Sequence, residues 1–105
     1  MGERTANVSD GDLAATVDRL IAIIDSRQSA EAGTSYTARL LQGPTDYVLK
    51  KLVEEAVELG FAVKDGDYEH IRYEAADLMY HLLVAIKAVG VTSQQLAGEL
   101  DARMK

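Results

Sequence analysis

Residues 45–89 read TDYVLKKLVEEAVELGFAVKDGDYEHIRYEAADLMYHLLVAIKAV. Their apolar residues recur at intervals of three and four, the period of an α-helix and not of a strand. A single interruption, Asp65-Gly66-Asp67, combines a glycine suited to the left-handed position that closes a helix with an aspartate suited to cap the next one. The stretch therefore reads as a tight αα-hairpin, one helix from Thr45 or Asp46 to about Lys64 and a second from about Tyr68 to Val89. The apolar stripes expected to face the core are Val48, Leu52, Ala56, Leu59 and Val63 on the first helix, and Ile71, Ala75, Leu78, Leu82 and Ile86 on the second.

Upstream, Leu13, Val17, Leu20, Ile21 and Ile24 share one helical face, with Asp10 or Asp12 as the cap, and this helix is expected to fray near Ser29 to Gly33. Thr34 to Leu41 begins with hydroxyls and ends at Gly43-Pro44, as a loop leading into one or two helical turns does. Downstream, Gly90 ends the second hairpin helix. Thr92-x-x-Gln95 then forms a capping box, with Val91 placed to staple onto Leu96, so a last helix is expected from Ser93 to about Arg103. Short connections favour antiparallel neighbours. The expected fold is all-α, an antiparallel bundle of four to five helices, with residues 1–10 a disordered tail and 11–105 one domain.

The chain has 105 residues, 48% of them hydrophobic, with one proline and a net charge of −6. That length supports a core without metal or disulfide staples. The absence of cysteine excludes a disulfide framework, a thiolate metal site and a cysteine nucleophile. No leader-like apolar run opens the chain and no stretch reaches the roughly 18 apolar residues of a membrane span, so a cytoplasmic protein is expected. The balance of 17 Asp and Glu against 11 Lys and Arg argues against nucleic acid as a partner. It also repels free anions, so phosphate chemistry in this chain needs a cation from outside.

The acids are not scattered. Lys51-x-x-Glu54-Glu55-x-x-Glu58 lies on the first hairpin helix and Glu74-x-x-Asp77 on the second. Residues three apart share a helix face, so Glu55 projects with Glu58 and Glu74 with Asp77. Glu58 and Glu74 each lie eight residues from Gly66, and Glu55 and Asp77 each lie eleven from it. At 1.5 Å per residue the first pair sits about 12 Å from the turn and the second about 16 Å, level across the groove. Acids along helices are usually a solvated face, but such faces interleave cations. Here positions 59, 62, 78 and 81 hold Leu, Ala, Leu and His. Converging carboxylates repel one another unless a cation neutralises them. An all-oxygen donor set suits Mg²⁺, or Mn²⁺ in its place. A di-iron bundle would carry Glu-x-x-His, whereas Phe61 and Asp77 follow Glu58 and Glu74. Zinc is disfavoured with only His70 and His81 as nitrogen donors. Carboxylate-held Mg²⁺ commonly serves to bind phosphates and activate water.

These residues resemble the signature of the all-α NTP pyrophosphohydrolases. With Ser35-Tyr36-Thr37-x-x-Leu40 upstream and Asp77-Leu78-x-Tyr80-His81-Leu82-Leu83 downstream, the chain is similar from about Leu13 to Leu100 to one branch, the phosphoribosyl-ATP pyrophosphohydrolases of histidine biosynthesis. The resemblance implies a nucleotide-binding hydrolase that converts phosphoribosyl-ATP to phosphoribosyl-AMP and pyrophosphate with Mg²⁺, in a homodimer whose helices pack across subunits and complete the bundle. By position it implies Glu55, Glu58, Glu74 and Asp77 as metal-binding acids, and Glu54 as a further ligand or a positioner of the attacking water. Lys51 would contact phosphate, so the implied catalytic set is Glu54, Glu55 and Lys51. Ser35, Tyr36, Thr37 and Arg39 would shape the ribosyl-phosphate side of the pocket, with His81 among the substrate-binding residues. Some members are fused to the cyclohydrolase that acts next. In a chain of 105 residues a separate phosphoribosyl-AMP cyclohydrolase is expected.

Several residues carry two readings. His81, four residues after Asp77, suits either a structural contact with a carboxylate or a role in substrate contact or proton transfer. Tyr36 and Tyr80 suit stacking on a base, a hydrogen bond to phosphate, or core packing with the hydroxyl at the rim. Arg39, with no acid near it on its own helix, suits an anion or a surface ion pair, whereas His70 and Lys50 read as exposed. Two rival functions stand beside the biosynthetic one: a house-cleaning pyrophosphohydrolase of non-standard NTPs or dNTPs, and a non-catalytic helical dimerisation module.

Overall fold

A computed structural model describes residues 7–104. Residues 1–6 lie outside the described residues, and with them most of the expected tail. The chain forms α1 (Leu13–Ser26), a 3₁₀ turn (Ala32–Thr34), α2 (Tyr36–Gln42), α3 (Thr45–Asp65), α4 (Tyr68–Ala88) and α5 (Ser93–Arg103), with no strand among the described residues. The fold is all-α, as expected.

Local chemistry sets the boundaries. The Asp12 carboxylate, not that of Asp10, caps α1 by accepting the Ala15 N–H at 3.0 Å. Ser35 caps α2 through the Ala38 N–H at 3.2 Å, and Asp67 caps α4 through the His70 N–H at 3.1 Å. Thr92 and Gln95 exchange side-chain and backbone hydrogen bonds at 3.0 and 2.9 Å, the expected capping box. Gly66 ends α3 at φ 70°, its N–H donating to the Ala62 and Val63 carbonyls, a geometry that glycine adopts without the penalty a Cβ brings. Gly43 is fixed by close approach. Its N–H donates to the Arg39 carbonyl at 2.9 Å, and a Cβ there would stand 2.7 Å from that same oxygen.

α3 and α4 pack antiparallel along their length, α2 lies against α4 and touches α3, and α1 packs on α4. The core joins Ile24 of α1, Leu40 of α2, Val48 of α3, and Leu83, Val84 and Ala85 of α4. No single helix among the described residues is long and apolar enough to cross a membrane.

The expected stripes of the hairpin are inward only in part: Val48 is buried and Leu52, Leu59, Ile71, Leu78 and Ile86 are half-buried. On α3, Ala56 and Val63 are exposed, while Glu55 and Ala62 are buried; on α4, Ala75 and Leu82 are exposed, while Glu74, Asp77 and His81 are buried. The middle of the groove is thus lined by carboxylates. A second apolar line outside the expected stripe, Leu49, Val53, Val57 and Phe61, runs four apart along α3 at 45–63% exposure.

Candidate active site

Glu55 comes from the inner face of α3, Glu74 and Asp77 from that of α4, and they are only 9%, 2% and 4% exposed. One carboxylate oxygen each from Glu55, Glu58 and Glu74 lies within 4.8 Å of the others. Asp77 lies beside Glu55 and is the strongest carboxyl neighbour of that residue, while Glu58 is the strongest neighbour of Glu74. These are the two level pairs that counting from Gly66 anticipates. Loss of water pushes Glu55 up to about 8, reinforced by Asp77, and pushes Glu74 up to about 7, reinforced by Glu58.

Glu55 Oε2, Glu74 Oε1 and Asp77 Oδ1 are buried without a hydrogen-bond partner. Each orphaned polar atom costs about 1–3 kcal/mol, and more when charged. Three orphaned carboxylate oxygens converging on one groove match what a hard divalent cation takes as ligands. His70 Nε2 stands 3.4 Å from the other Glu74 oxygen.

A wall from α2 adjoins this cluster. The Tyr36 hydroxyl lies 3.1 Å from His81 Nε2, and His81 Nδ1 lies 2.9 Å from the backbone carbonyl of Asp77. Thr37 and Tyr80 share a hydrogen bond between hydroxyls. The Tyr36 and Tyr80 rings stack at 6.3 Å, both edge-on to His81, and the Arg39 guanidinium stands 5.8 Å from the centre of the Tyr36 ring. Burial and nearby Tyr47, Tyr80, Asp77 and Glu55 hold the Tyr36 phenol up at about 12.

The anticipated residues therefore fall into groups. Glu55, Glu58, Glu74 and Asp77 meet in the groove. Tyr36, Thr37 and His81 form the wall, and the Ser35 side chain is occupied in capping α2. Arg39 is exposed at the edge of the wall, Lys51 is half-buried one turn before Glu55, and Glu54 is exposed outside the cluster. His70, expected to be exposed, is half-buried and contacts Glu74, a partner available in the helical i, i+4 spacing. Tyr73 lies within the field of all four acids, which together with burial raises its pKa; nothing in its sequence context marks it.

Residues 17–104, which hold every one of these side chains, match the family described as phosphoribosyl-ATP pyrophosphohydrolase. The chain belongs to this family. Its hydrolase class follows. It is 47% identical over 88 residues to the phosphoribosyl-ATP pyrophosphatase of Methylibium petroleiphilum, covering 84% of this chain and 73% of that protein. The phosphoribosyl-ATP pyrophosphatase of Rhizobium rhizogenes is 42% identical over 88 residues, which cover 84% and 85% of the two chains. The histidine biosynthesis bifunctional protein of Wolinella succinogenes is 45% identical over 87 residues, 83% of this chain but 38% of that longer relative.

Proposed function

We propose that this protein hydrolyses phosphoribosyl-ATP to phosphoribosyl-AMP and pyrophosphate in histidine biosynthesis, using Mg²⁺, or Mn²⁺ in its place, held by Glu55, Glu58, Glu74 and Asp77. The observation that carries the reading is the set of three orphaned carboxylate oxygens on facing turns of α3 and α4, in a member of this family. The all-oxygen donor set fits such an ion. Mg²⁺, when bound there, would supply the positive charge that offsets the charge building up on the phosphates and lowers the pKa of an attacking water.

The side chains supply the rest. Glu55 and Glu74 hold protons more tightly than ordinary carboxyls, so loading the site displaces protons to solvent. Glu54, exposed outside the cluster, would orient the attacking water and take its proton. Lys51 offers an ammonium to phosphate, and Arg39, with Tyr36 and Thr37 behind it, meets the ribosyl-phosphate end. Water adds its oxygen to one phosphorus as the anhydride bond breaks, and its proton leaves through an acid or the solvent. The exposed line Leu49, Val53, Val57 and Phe61 supports a homodimer that buries it against a second copy. The reading further places the enzyme in the cytoplasm, with its product passing to a phosphoribosyl-AMP cyclohydrolase. The bifunctional relatives support that next step.

Assay with phosphoribosyl-ATP and Mg²⁺ in ¹⁸O-labelled water tests the proposal. Pyrophosphate and phosphoribosyl-AMP should appear together, one of them carrying the label, and EDTA should stop the reaction. A clear preference for dNTPs over phosphoribosyl-ATP would replace the biosynthetic reading with the house-cleaning one.

A further inference from the structure

We propose that His81 is a positioning residue: its ring fixes Tyr36, and through Tyr36 the guanidinium of Arg39, against the turn of α4 that carries Asp77. This inference rests on the phosphoribosyl-ATP reading of the site for its effect on substrate, but not for its geometry.

The hydrogen bonds assign themselves. A backbone carbonyl only accepts, so the 2.9 Å contact between His81 Nδ1 and the Asp77 carbonyl places a proton on Nδ1. Nε2 faces the Tyr36 hydroxyl 3.1 Å away, and a hydroxyl can pair with it as donor or acceptor. Both ring nitrogens are thereby engaged, and His81 is 2% exposed, so the ring has no free edge for substrate. It is a rigid spacer between α4 and a residue 45 positions earlier.

α2 needs such a spacer. With seven residues it is far too short to hold its position by helical stability alone. Arg39 follows Tyr36 by three residues and stands over its ring at 5.8 Å, a cation–π distance. It is exposed and has no ion pair with another described residue. Where the Tyr36 ring is held, the Arg39 cation is held for an anionic group of the substrate. The hydroxyl bond between Thr37 and Tyr80 is a second tie between the same helices, so removing the Tyr36 hydroxyl loosens α2 without releasing it.

The experiment has two arms. In ¹⁵N-histidine-labelled protein, His81 should show a protonated Nδ1 and a hydrogen-bonded Nε2, and the Nε2 signal should shift in Tyr36→Phe. In phosphoribosyl-ATP hydrolysis, Tyr36→Phe should raise KM about 3- to 10-fold while kcat changes by less. Arg39→Ala should raise KM as well, and adding Tyr36→Phe to it should raise KM by less than about 2-fold further, because the two act through one contact. His81→Asn, which keeps a donor near the Asp77 carbonyl but loses reach to Tyr36, should reproduce Tyr36→Phe. An unprotonated Nδ1, an Nε2 signal that does not move in Tyr36→Phe, or fully multiplicative effects of Tyr36→Phe and Arg39→Ala on KM would overturn the proposal. A wild type that releases no pyrophosphate would instead overturn the assigned reaction, and the ring-nitrogen signals would still decide the placement of His81.

Discussion

At the scale of single residues, the protein keeps carboxyls where water cannot reach them, and their titration should show it. Glu55 and Glu74 stand near 8 and 7 in the folded protein against an ordinary 4.5. Between those values the folded state binds more protons than the unfolded one, so stability falls as pH rises. The melting temperature in EDTA should therefore drop from pH 5 to pH 8, and saturating Mg²⁺ should offset the drop most at the upper end, where the acids are ready to bind as anions. A melting temperature that climbs across that range in EDTA would contradict the burial of these groups. Glu55→Gln keeps the shape and removes the charge. It should lower phosphoribosyl-ATP hydrolysis by about 100-fold or more, abolish most of the Mg²⁺-linked melting shift, and melt no lower than wild type at pH 8 without metal. The four acids were legible in the sequence because helical spacing and equal counts from Gly66 fix their heights. The bond from Tyr36 to His81 was not, since only the tertiary fold brings residues 45 apart together.

At the scale of elements, the caps and turns were readable because each depends on a few adjacent residues. Asp12, Asp67 and Thr92 bond the backbone N–H groups that such residues satisfy at helix starts, and Ser35, expected in the pocket wall, does the same for α2. The inward faces of α3 and α4 were harder to read, because a hydrophobic pattern assumes that the apolar side is the buried side. Here the hairpin buries Glu55, Glu74, Asp77 and His81 and leaves Val53, Val57 and Phe61 outside. Gly66→Ala isolates the turn. At φ 70°, with no atom within 4 Å of the new Cβ, it costs backbone strain alone, about 1 kcal/mol. That should lower the melting temperature by about 4–8 °C in a domain of this size, with kcat in Mg²⁺ close to that of wild type.

For the whole molecule, the single chain leaves one side of its central hairpin uncovered. Its radius of gyration is 14.6 Å, above the about 13 Å of a compact domain of 100 residues, and the proposed homodimer would cover that side with a second copy. Light scattering on the eluting protein should give twice the chain mass. Val53→Glu with Phe61→Glu, which place charges on the exposed line of α3, should halve it. A wild type that stays monomeric at assay concentrations would leave that apolar line without its proposed cover.

The turn at Gly66 also governs how this chain can change in length. One residue gained or lost between Glu58 and Gly66, or between Gly66 and Glu74, would swing the acids beyond it by about 100° around the helix and slide them 1.5 Å along it, so that facing carboxyls no longer meet. The stretch between α1 and α2 has no such duty, since Gln42 clips it through the backbone carbonyls of Gln28 and Ala30. Insertions and deletions among homologous chains should accumulate there, while the two arms of the hairpin keep a constant residue count.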